Sequence, residues 1–428
     1  MTTLAATQST RQRLRQISAA AVGNAIEWYD WYIYSLLAAY FAAQYFPSDS
    51  ESTLVPLLSA LAVFAVGFVM RPIGGLLVGW FADRVGRKAA LNVTVIGMGA
   101  GSLLIAVIPT YESIGILAPI ALVVARMVQG LSAGGEYAAA AAFLVESAPN
   151  HRRGFFASFF YQSAIIGNLF AIGLTSLLST TLSAEDMTAW GWRVPFAVGA
   201  VVAVSGYWIR RHAEETHTLL ADMESGAVEK PSPFEFLKHP KLVVQTIGIT
   251  AAGTLIYYVW TVYMPTYANV VTGLDTRLGL GSTAITLVFF LILQPIVATI
   301  SDKVGRKPVL LVFGCAFVFG TVPMLSLLQD SFWSLLLVQM LGAGFLACWT
   351  SILNAVFAEL WPARVRAAGA GLPYSSAVAL FGGTGPYIAT AFAQAGNPEY
   401  FGYYLTAIAI ISTVTYLTLK ETAHKPLP

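Results

Sequence analysis

The sequence predicts an all-α membrane protein with twelve transmembrane helices in two six-helix bundles, and three observations support this fold class. Of the 428 residues 57% are hydrophobic and only 11% are charged, against about 25% charged residues in a typical soluble domain. Twelve apolar stretches follow one another along the chain, and a short charged motif occurs once in each half. The net charge of +2 leaves no basic field that would indicate a nucleic-acid partner.

Each apolar stretch is long enough to cross the hydrocarbon core of a bilayer, which takes about 20 helical residues for about 30 Å. The first is too long for the apolar region of a signal peptide, so we expect it to remain as a spanning helix. The twelve predicted spans cover residues 17–46, 53–82, 89–109, 114–146, 155–179, 192–210, 241–270, 279–300, 309–328, 332–360, 367–393 and 400–420.

The distribution of charge predicts the orientation of these spans. The odd-numbered connections carry mostly acidic residues, with Arg193 and Arg277 as their cations. Apart from Arg71 and Arg126, which lie inside spans, the other Lys and Arg residues occupy the tails and the even-numbered connections. The positive-inside rule therefore predicts that both termini are cytoplasmic.

An internal repeat divides the chain into two halves. The motif after the second span, "DRVGRK" (83–88), returns after the eighth as "DKVGRK" (302–307). Likewise "VESAPNHRRG" (145–154), after the fourth span, returns loosely after the tenth as "AELWPARVRAAG" (358–369). We predict an N-terminal bundle over residues 1–210, a polar cytoplasmic linker over 211–240 and a C-terminal bundle over 241–428.

Several motifs together resemble one known family. They are "GNAIEWYDWYIY" (23–34), "MRPIGGLLVGWFADRVGRK" (70–88), "RMVQGLSAGGEY" (126–137), "WGWRVPF" (190–196) and the doubled "D-[RK]-VGRK". In these motifs the chain resembles the major facilitator superfamily and, within it, the metabolite:proton symporters, over essentially its whole length. The resemblance implies two bundles that rock about a central site, which opens alternately to the two sides of the membrane.

Ionisable residues inside the predicted spans call for an explanation. A charged side chain at the centre of the bilayer costs about 2.5–3.5 kcal/mol on insertion scales, so an unpaired set would cost about 10–15 kcal/mol. Such a cost demands pairing, water or function. The set comprises Glu27, Asp30, Arg71, Arg126 and Glu136.

We expect one face of the first span to be polar, because about 100° of rotation per residue brings its polar and aromatic side chains to about a third of the circumference. The side chains on this face are Asn24, Glu27, Asp30, Trp31 and Tyr34.

The hypothesis for coupling is that Asp30 carries a proton and that Arg126 is its switchable partner. An Arg partner favours the ionised carboxylate, and a buried site without the partner favours the protonated one. In related proton-coupled sugar porters a span-1 acid and a span-4 Arg occupy comparable places. Glu27, one turn away, is the alternative carrier, and the two acids would titrate as a pair. The competing interpretation is that these charges form fixed ion pairs that hold helices together.

For substrate binding, Arg71 is the first candidate, since a guanidinium can bind a carboxylate through two hydrogen bonds. The alternative is that Arg71 permanently neutralises Glu27 or Asp30. We choose Tyr161, Gln162 and Tyr374 because they lie in the segments that resemble the family most. The full predicted set is Arg71, Arg126, Tyr34, Gln129, Glu136, Tyr161, Gln162, Tyr257 and Tyr374.

The repeated charged loops predict a cytoplasmic latch, which in the superfamily holds helix ends together while the transporter faces outward. Positive-inside topology explains the cations of these loops but not the acids among them. The predicted latch residues are Asp83, Arg87, Glu146 and Arg153 in the first half and Asp302, Arg306, Glu359 and Arg366 in the second.

The predicted function is proton-coupled symport of a small organic anion, a di- or monocarboxylate such as α-ketoglutarate, in the bacterial cytoplasmic membrane. The alternative substrate is a zwitterion such as proline or betaine, and a more distant alternative is a transporter-like nutrient sensor. We expect a monomer in the lipid bilayer, with the proton as coupling ion and no other cofactor or metal. Enzyme chemistry is not expected, because no nucleotide-binding loop, metal cluster or paired nucleophile is present in the sequence.

Overall fold

The structure, a computed structural model, describes residues 10–48, 52, 54–85, 87–134, 145, 148–211 and 234–428. Within these ranges all regular structure is helical. Six long helices lie in the described part of the first half: α1 Thr10–Tyr45, α2 Leu54–Val85, α3 Arg87–Val107, α4 Leu117–Gly134, α5 Arg153–Thr181 and α6 Arg193–Arg211. Short helical segments such as Tyr111–Ile114 and Ala184–Asp186 lie between them.

The second half also contains six helices, three of which are interrupted. The uninterrupted helices are α8 Thr276–Val304, α9 Arg306–Ser326 and α12 Tyr400–Thr418. The helix α7 comprises Pro240–Tyr258, the π-helical turn Val259–Tyr263 and Met264–Thr272, and α10 comprises Phe332–Thr350 and Leu353–Leu360. The helix α11 comprises Arg366–Ala377, the π-helical turn Val378–Gly382 and Gly385–Gln394. Each predicted span thus coincides with one of these helices.

By length and hydropathy alone, eight helices in the described part of the chain can cross a membrane, or nine if the bent pair Ala184–Gly191 and Arg193–Ser205 counts as one span. The charged α1 and the interrupted α11 are not among the eight. The outer surface carries large exposed apolar side chains that fit a lipid environment, such as Leu77, Phe319 and Trp333. The remaining long helices coincide with the other spans that the sequence predicts.

The two halves repeat one packing arrangement. In the first half α2 packs on α4, α3 on α6 and α1 on α5. In the second half the corresponding pairs also pack, namely α8 on α10, α9 on α12 and α7 on α11. Between the halves α5 runs along α8, and α2 lies against α11. The predicted linker falls largely on residues 212–233, which lie outside the described residues.

The interruption of α7 lies where this helix meets α1 of the other half. Pro265 has no N–H and cannot donate to the carbonyl of Thr261 four residues earlier. The Tyr32 hydroxyl donates to that carbonyl. Short π-helical turns of this kind occur mostly at functional sites, and this turn places Tyr257 and Tyr258 at the contact between the halves.

Close contact between α2 and α4 depends on glycine. A methyl group on Gly130 would meet the carbonyl oxygen of Gly67 and would lie 2.8 Å from Met70 Cβ. A methyl group on Gly134 would meet the carbonyl of Arg71. Small residues let helix backbones approach in this way, and here the approach brings Arg71 and Arg126 towards α1.

We predict that Gly130→Ala destabilises the protein by about 1–3 kcal/mol, because the added methyl group meets backbone that cannot yield without separating two helices. The matched control is Gly344→Ala in α10, where an added methyl group has no atom within 4 Å. Thermal unfolding in detergent should show a lower Tm for the first variant only. Equal Tm values for the two variants would contradict the close approach.

Candidate functional site

A buried ion pair joins α1 to α2 at the centre of the first half. Arg71 Nη2 lies 2.8 Å from Glu27 Oε1. Glu27 is 5% exposed and Arg71 2%. The other terminal nitrogen, Arg71 Nη1, has no hydrogen-bond partner among the described residues. The pair therefore neutralises two charges and leaves one guanidinium donor available to a ligand.

Aromatic rings from both halves surround this ion pair. The Trp28 ring stacks on Tyr258 at 5.8 Å between centroids and meets the edge of Tyr257 at 5.2 Å. Tyr161 of α5 packs on Tyr257 at 5.3 Å. Tyr258 lies within hydrogen-bonding range of Arg71, although its hydroxyl makes no hydrogen bond of good geometry among the described residues. This aromatic cluster covers the ion pair on the side of the second half.

Asp30 belongs to a separate polar group inside the first half. Its Oδ1 accepts a hydrogen bond of 2.7 Å from the Ser102 hydroxyl of α3. The Ser102 oxygen accepts one of 2.9 Å from Gln129 Nε2 of α4, and Gln129 Oε1 accepts one of 2.7 Å from Arg126 Nη1. In this conformation Asp30 and Arg126 are connected through two neutral side chains.

Aromatic faces hold Arg126 in place. The centre of its guanidinium lies 4.2 Å from the Trp31 ring, 4.5 Å from the Tyr34 ring and 5.4 Å from the Phe64 ring. Arg71 lies on Trp31 as well, at 5.2 Å. Cation–π contacts of desolvated groups are worth up to about 2 kcal/mol each. Trp31 thus touches the Arg residues of both polar groups.

The structure separates side chains that the sequence placed on one polar face. Glu27 turns to α2 and Asp30 to α3, while Asn24 donates to the carbonyl of Phe160 and to Ser163 of α5. Residues three apart on a helix differ by about 60° in direction, and several helices pack around α1, so neighbouring side chains meet different partners. Only Glu27 of the two acids lies at the contact between the halves.

The other predicted substrate-binding residues occupy varied positions. The Tyr34 hydroxyl donates to the carbonyl of Ala60 at 3.0 Å. Gln162 donates to the carbonyl of Leu291 in α8 at 3.5 Å, across the contact between the halves. Tyr374 of α11 is buried and lies within electrostatic range of Arg71. Glu136, which the sequence also predicts as a substrate-binding residue, lies outside the described residues.

Ser102, which links Asp30 to Gln129, is absent from the residues predicted from the sequence. It is fully buried and follows a glycine pair in "GAGSLL" (99–104) of a strongly apolar helix. A small polar residue in such a context is the signal that could have identified it.

Four of the eight predicted latch residues, Arg153, Asp302, Arg306 and Glu359, lie together at one end of the helices, called here the latch end. Asp302 pairs with Arg306 at 2.8 Å and accepts the backbone N–H groups of Gly154 and Phe155 at 2.8 and 2.9 Å. Since Gly154 and Phe155 belong to α5, Asp302 joins the two halves. Arg306 also pairs with Glu359 at 3.1 Å.

Arg153 lies 3.9 Å from Glu359, which adds a second contact across the halves. The other predicted latch residues of the first half are Glu146, Asp83 and Arg87. Glu146 and the side chains of Asp83 and Arg87 lie outside the described residues.

Residues 419–428 cover this network. Arg153 Nη1 donates to the carbonyl of Lys425 at 2.7 Å, and Arg366 Nη2 donates to the carbonyl of Pro428 at 2.8 Å. Glu421 accepts the N–H groups of Arg306 and Lys307 at the start of α9, at 2.9 and 3.1 Å. Burial acts to raise the pKa of Glu421, but these and two further backbone N–H groups hold that pKa below its usual value.

A cavity of about 280 Å³ lies at the opposite end of the helices, lined by Tyr40, Ser179, Ala184, Met187, Asn269, Asp275, Thr276 and Arg277. Between this cavity and the ion pair, the contact of Tyr32 with Thr261 joins the halves. The ionisable side chains of the two central polar groups, Glu27, Asp30, Arg71 and Arg126, are buried. No group of three or more His, Cys, Asp or Glu side chains that could hold a metal ion occurs among the described residues.

We predict that Glu421→Gln lowers stability at pH 7 by about 0.5–1 kcal/mol, the range for a partly exposed cap at a helix N-terminus. A carboxylate whose pKa is lowered by folding stabilises above its unfolded pKa, and the effect is lost as the pH falls through the folded value. Tm measured against pH should therefore show the difference at neutral pH and its disappearance as the pH falls through the lowered pKa of Glu421 in the folded state. Glu185→Gln, an exposed site at the other end, is the control; a pH-independent difference for Glu421→Gln would contradict the assignment.

Comparison with known proteins agrees with this architecture. The chain is 39% identical over 418 residues to the alpha-ketoglutarate permease of Escherichia coli strain K12, covering 96% of this chain and 95% of that protein. It is 33% identical over 428 residues to a glycine betaine/proline/ectoine/pipecolic acid transporter of Dickeya dadantii, covering 97% and 85%. Its fold matches a crystal structure of a D-xylose-proton symporter with a TM-score of 0.77 at 18% identity, over 97% of this chain and 99% of that one.

The sequence model of the Major Facilitator Superfamily matches residues 20–372 and 276–428 of this chain. These matches together extend over nearly the whole chain, and the relatives are transporters and not enzymes. The chain is a multi-pass membrane transporter and belongs to the major facilitator superfamily.

Proposed function

We propose that this transporter carries a small organic anion, a mono- or dicarboxylate such as α-ketoglutarate, together with protons. The proposal places it in the bacterial cytoplasmic membrane with both termini cytoplasmic, as the charge distribution predicts. The 39% identity to an alpha-ketoglutarate permease supports this substrate class.

The observation that most supports an anionic substrate is the buried guanidinium of Arg71, which has an unused donor at the contact between the halves. Arg71 keeps Nη2 on Glu27, while Nη1 and the hydroxyl of Tyr258, which lies within reach of Arg71, make no hydrogen bond of good geometry among the described residues. A buried donor left unsatisfied costs about 1–3 kcal/mol, and more when it is charged. A substrate carboxylate would accept from both groups and remove this cost. Arg71 comes from the first half and Tyr258 from the second, so binding would favour closure of the halves.

Proton coupling is assigned to the Asp30 group. Asp30 and Arg126 are fully buried, and stability alone does not explain such charges, because apolar replacements are often at least as stable. A potential of 100 mV supplies about 2.3 kcal/mol per charge, which supports about forty-fold accumulation for each net positive charge that enters. A dianion gains this contribution only with three protons. A proton taken up by Asp30 on one side and released on the other would provide the coupling.

Alternating access requires that the latch end opens. In the proposed cycle the Asp302 contacts with Gly154 and Phe155 hold this end shut, and their separation lets α5 and α8 part. A contact made in one conformation and absent in the other is the kind of two-state element on which such a transition depends.

A zwitterion such as betaine or proline is the second candidate, favoured by the relative in Dickeya dadantii and by the aromatic cluster. Aromatic faces can surround a quaternary ammonium group. In this conformation, however, Trp28, Tyr257 and Tyr258 pack directly on one another at 5.2–5.8 Å. The free donor on Arg71 favours an anion.

Uptake into proteoliposomes under an imposed inward proton gradient tests the proposal. Labelled α-ketoglutarate should accumulate above its external concentration, unlabelled organic acids should compete, and betaine and proline should not. Accumulation of betaine or proline with no response to organic acids would replace the anion by the zwitterion. If uptake of α-ketoglutarate were the same with and without the imposed proton gradient, proton coupling would be excluded.

We predict that Arg71→Lys raises KM for the anion about 10- to 100-fold, the loss expected when a charge-assisted hydrogen bond worth about 1.5–3 kcal/mol is removed. An ammonium keeps the charge near Glu27 but cannot reach Glu27 and a ligand with a planar fork. Arg277→Lys, at an exposed position lining the outer cavity, is the control. An unchanged KM for Arg71→Lys would show that Arg71 serves only to neutralise Glu27.

A further inference from the structure

The hydrogen bonds between Asp30 and Arg126 have only one possible direction. An Arg side chain donates and does not accept, so Arg126 faces the oxygen of the Gln129 amide. The amide nitrogen is therefore turned to Ser102, whose oxygen accepts from it. The Ser102 hydroxyl keeps its own hydrogen for Asp30. Every donor in this chain points from the positive charge to the carboxylate.

Both ends of the chain retain unused groups in a sealed environment. Asp30 Oδ2 and the Nε and Nη2 atoms of Arg126 have no hydrogen-bond partner among the described residues, and both side chains are 0% exposed. Hydrogen bonds in series polarise one another in a low dielectric. The negative charge of Asp30 therefore strengthens the bond that holds Arg126, although the two residues do not touch.

Among the described residues, the hydrogen bond that Asp30 accepts comes from Ser102, the first member of this hydrogen-bond chain. The hydroxyl of Tyr29, on α1, is occupied by the carbonyl of Pro195, and the group that α6 places against Asp30 is Gly199. On the α5 side Phe170 packs on Tyr29. The other charges of the site, Arg71 of α2 and Glu27 of α1, pair with each other.

The second half contains a buried Ser–Gln pair without charge, in which the serine donates to the glutamine and not the reverse. Gln339 of α10, the helix that corresponds to α4, accepts from Ser282 at 2.6 Å and donates to Thr283 at 2.6 Å. Both serines and both glutamines are buried. A Ser–Gln pair thus bridges helices in each half, and only in the first half does it connect an acid to an Arg.

We propose that Ser102 and Gln129 are positioning residues that transmit the protonation state of Asp30 to Arg126. This inference rests on the proposed proton coupling. When the site opens to one side of the membrane and Asp30 Oδ2 takes up a proton from that side, the carboxyl group becomes neutral and the hydrogen-bond chain loses its polarisation. The bond from Gln129 to Arg126 weakens, and the guanidinium is released towards the substrate. Loss of the proton on the other side restores the chain and returns Arg126.

The test is Ser102→Ala, measured in two transport modes with labelled α-ketoglutarate in proteoliposomes. Accumulation driven by a pH gradient should fall about ten-fold or more, a coupling within the range of residues that share one network. Exchange of internal for external substrate needs no net proton movement and should fall less than about three-fold. The pH dependence of accumulation should flatten. Ser102→Cys keeps the volume with a weaker donor and should show the same pattern, which covers a folding failure of the alanine variant.

Ser282→Ala is the matched control, since it removes the same hydroxyl from the uncharged pair and should leave both modes and the pH profile unchanged. Ser102→Ala with the accumulation and pH profile of the unmodified protein would overturn the relay, as would an equal loss in both transport modes or the same loss in Ser282→Ala. If the unmodified protein fails to accumulate α-ketoglutarate, it is the proposed function that fails, and the relay is then rejected with it.

Discussion

The interaction on which the structure depends most is the neutralisation of charge inside the first half of the helix assembly. Four ionisable side chains lie there essentially without exposure, in a region where each would cost several kcal/mol if it were isolated. Glu27 and Arg71 meet this constraint by direct pairing. Asp30 and Arg126 meet it indirectly, through Ser102, Gln129 and aromatic faces. The glycine contacts between α2 and α4 follow from the same need, because they bring both Arg residues close to α1.

The two halves share a fold and differ in chemistry. The repeated packing of helix pairs makes the halves alike in architecture. The charges lie in the first half, whereas the second half presents Tyr257 and Tyr258 to the same centre. A ligand held between Arg71 and Tyr258 would contact both halves at once. Binding would thereby become sensitive to their relative position, as alternating access requires.

The sequence was sufficient for the fold, because span length and hydropathy are local properties and the repeated "VGRK" loops marked the two halves. It was also sufficient to find Arg71, Arg126, Glu27 and Asp30, because charges are rare in apolar segments. It could not show that Glu27 and Asp30 turn to different helices, since that depends on which neighbours surround α1. Ser102 gave little signal on its own, because a buried serine gains its role only from the Asp30 and Gln129 side chains that pack around it.

The proposed coupling mechanism requires Asp30 to be the residue that takes up and releases the proton. The most direct measurement is simultaneous uptake of substrate and protons by Asp30→Asn in proteoliposomes with a pH-sensitive dye inside. The account predicts that this variant loses both uphill accumulation and substrate-linked proton entry while substrate exchange persists. Uphill transport by Asp30→Asn, accompanied by proton entry at the rate of the unmodified protein, would contradict it.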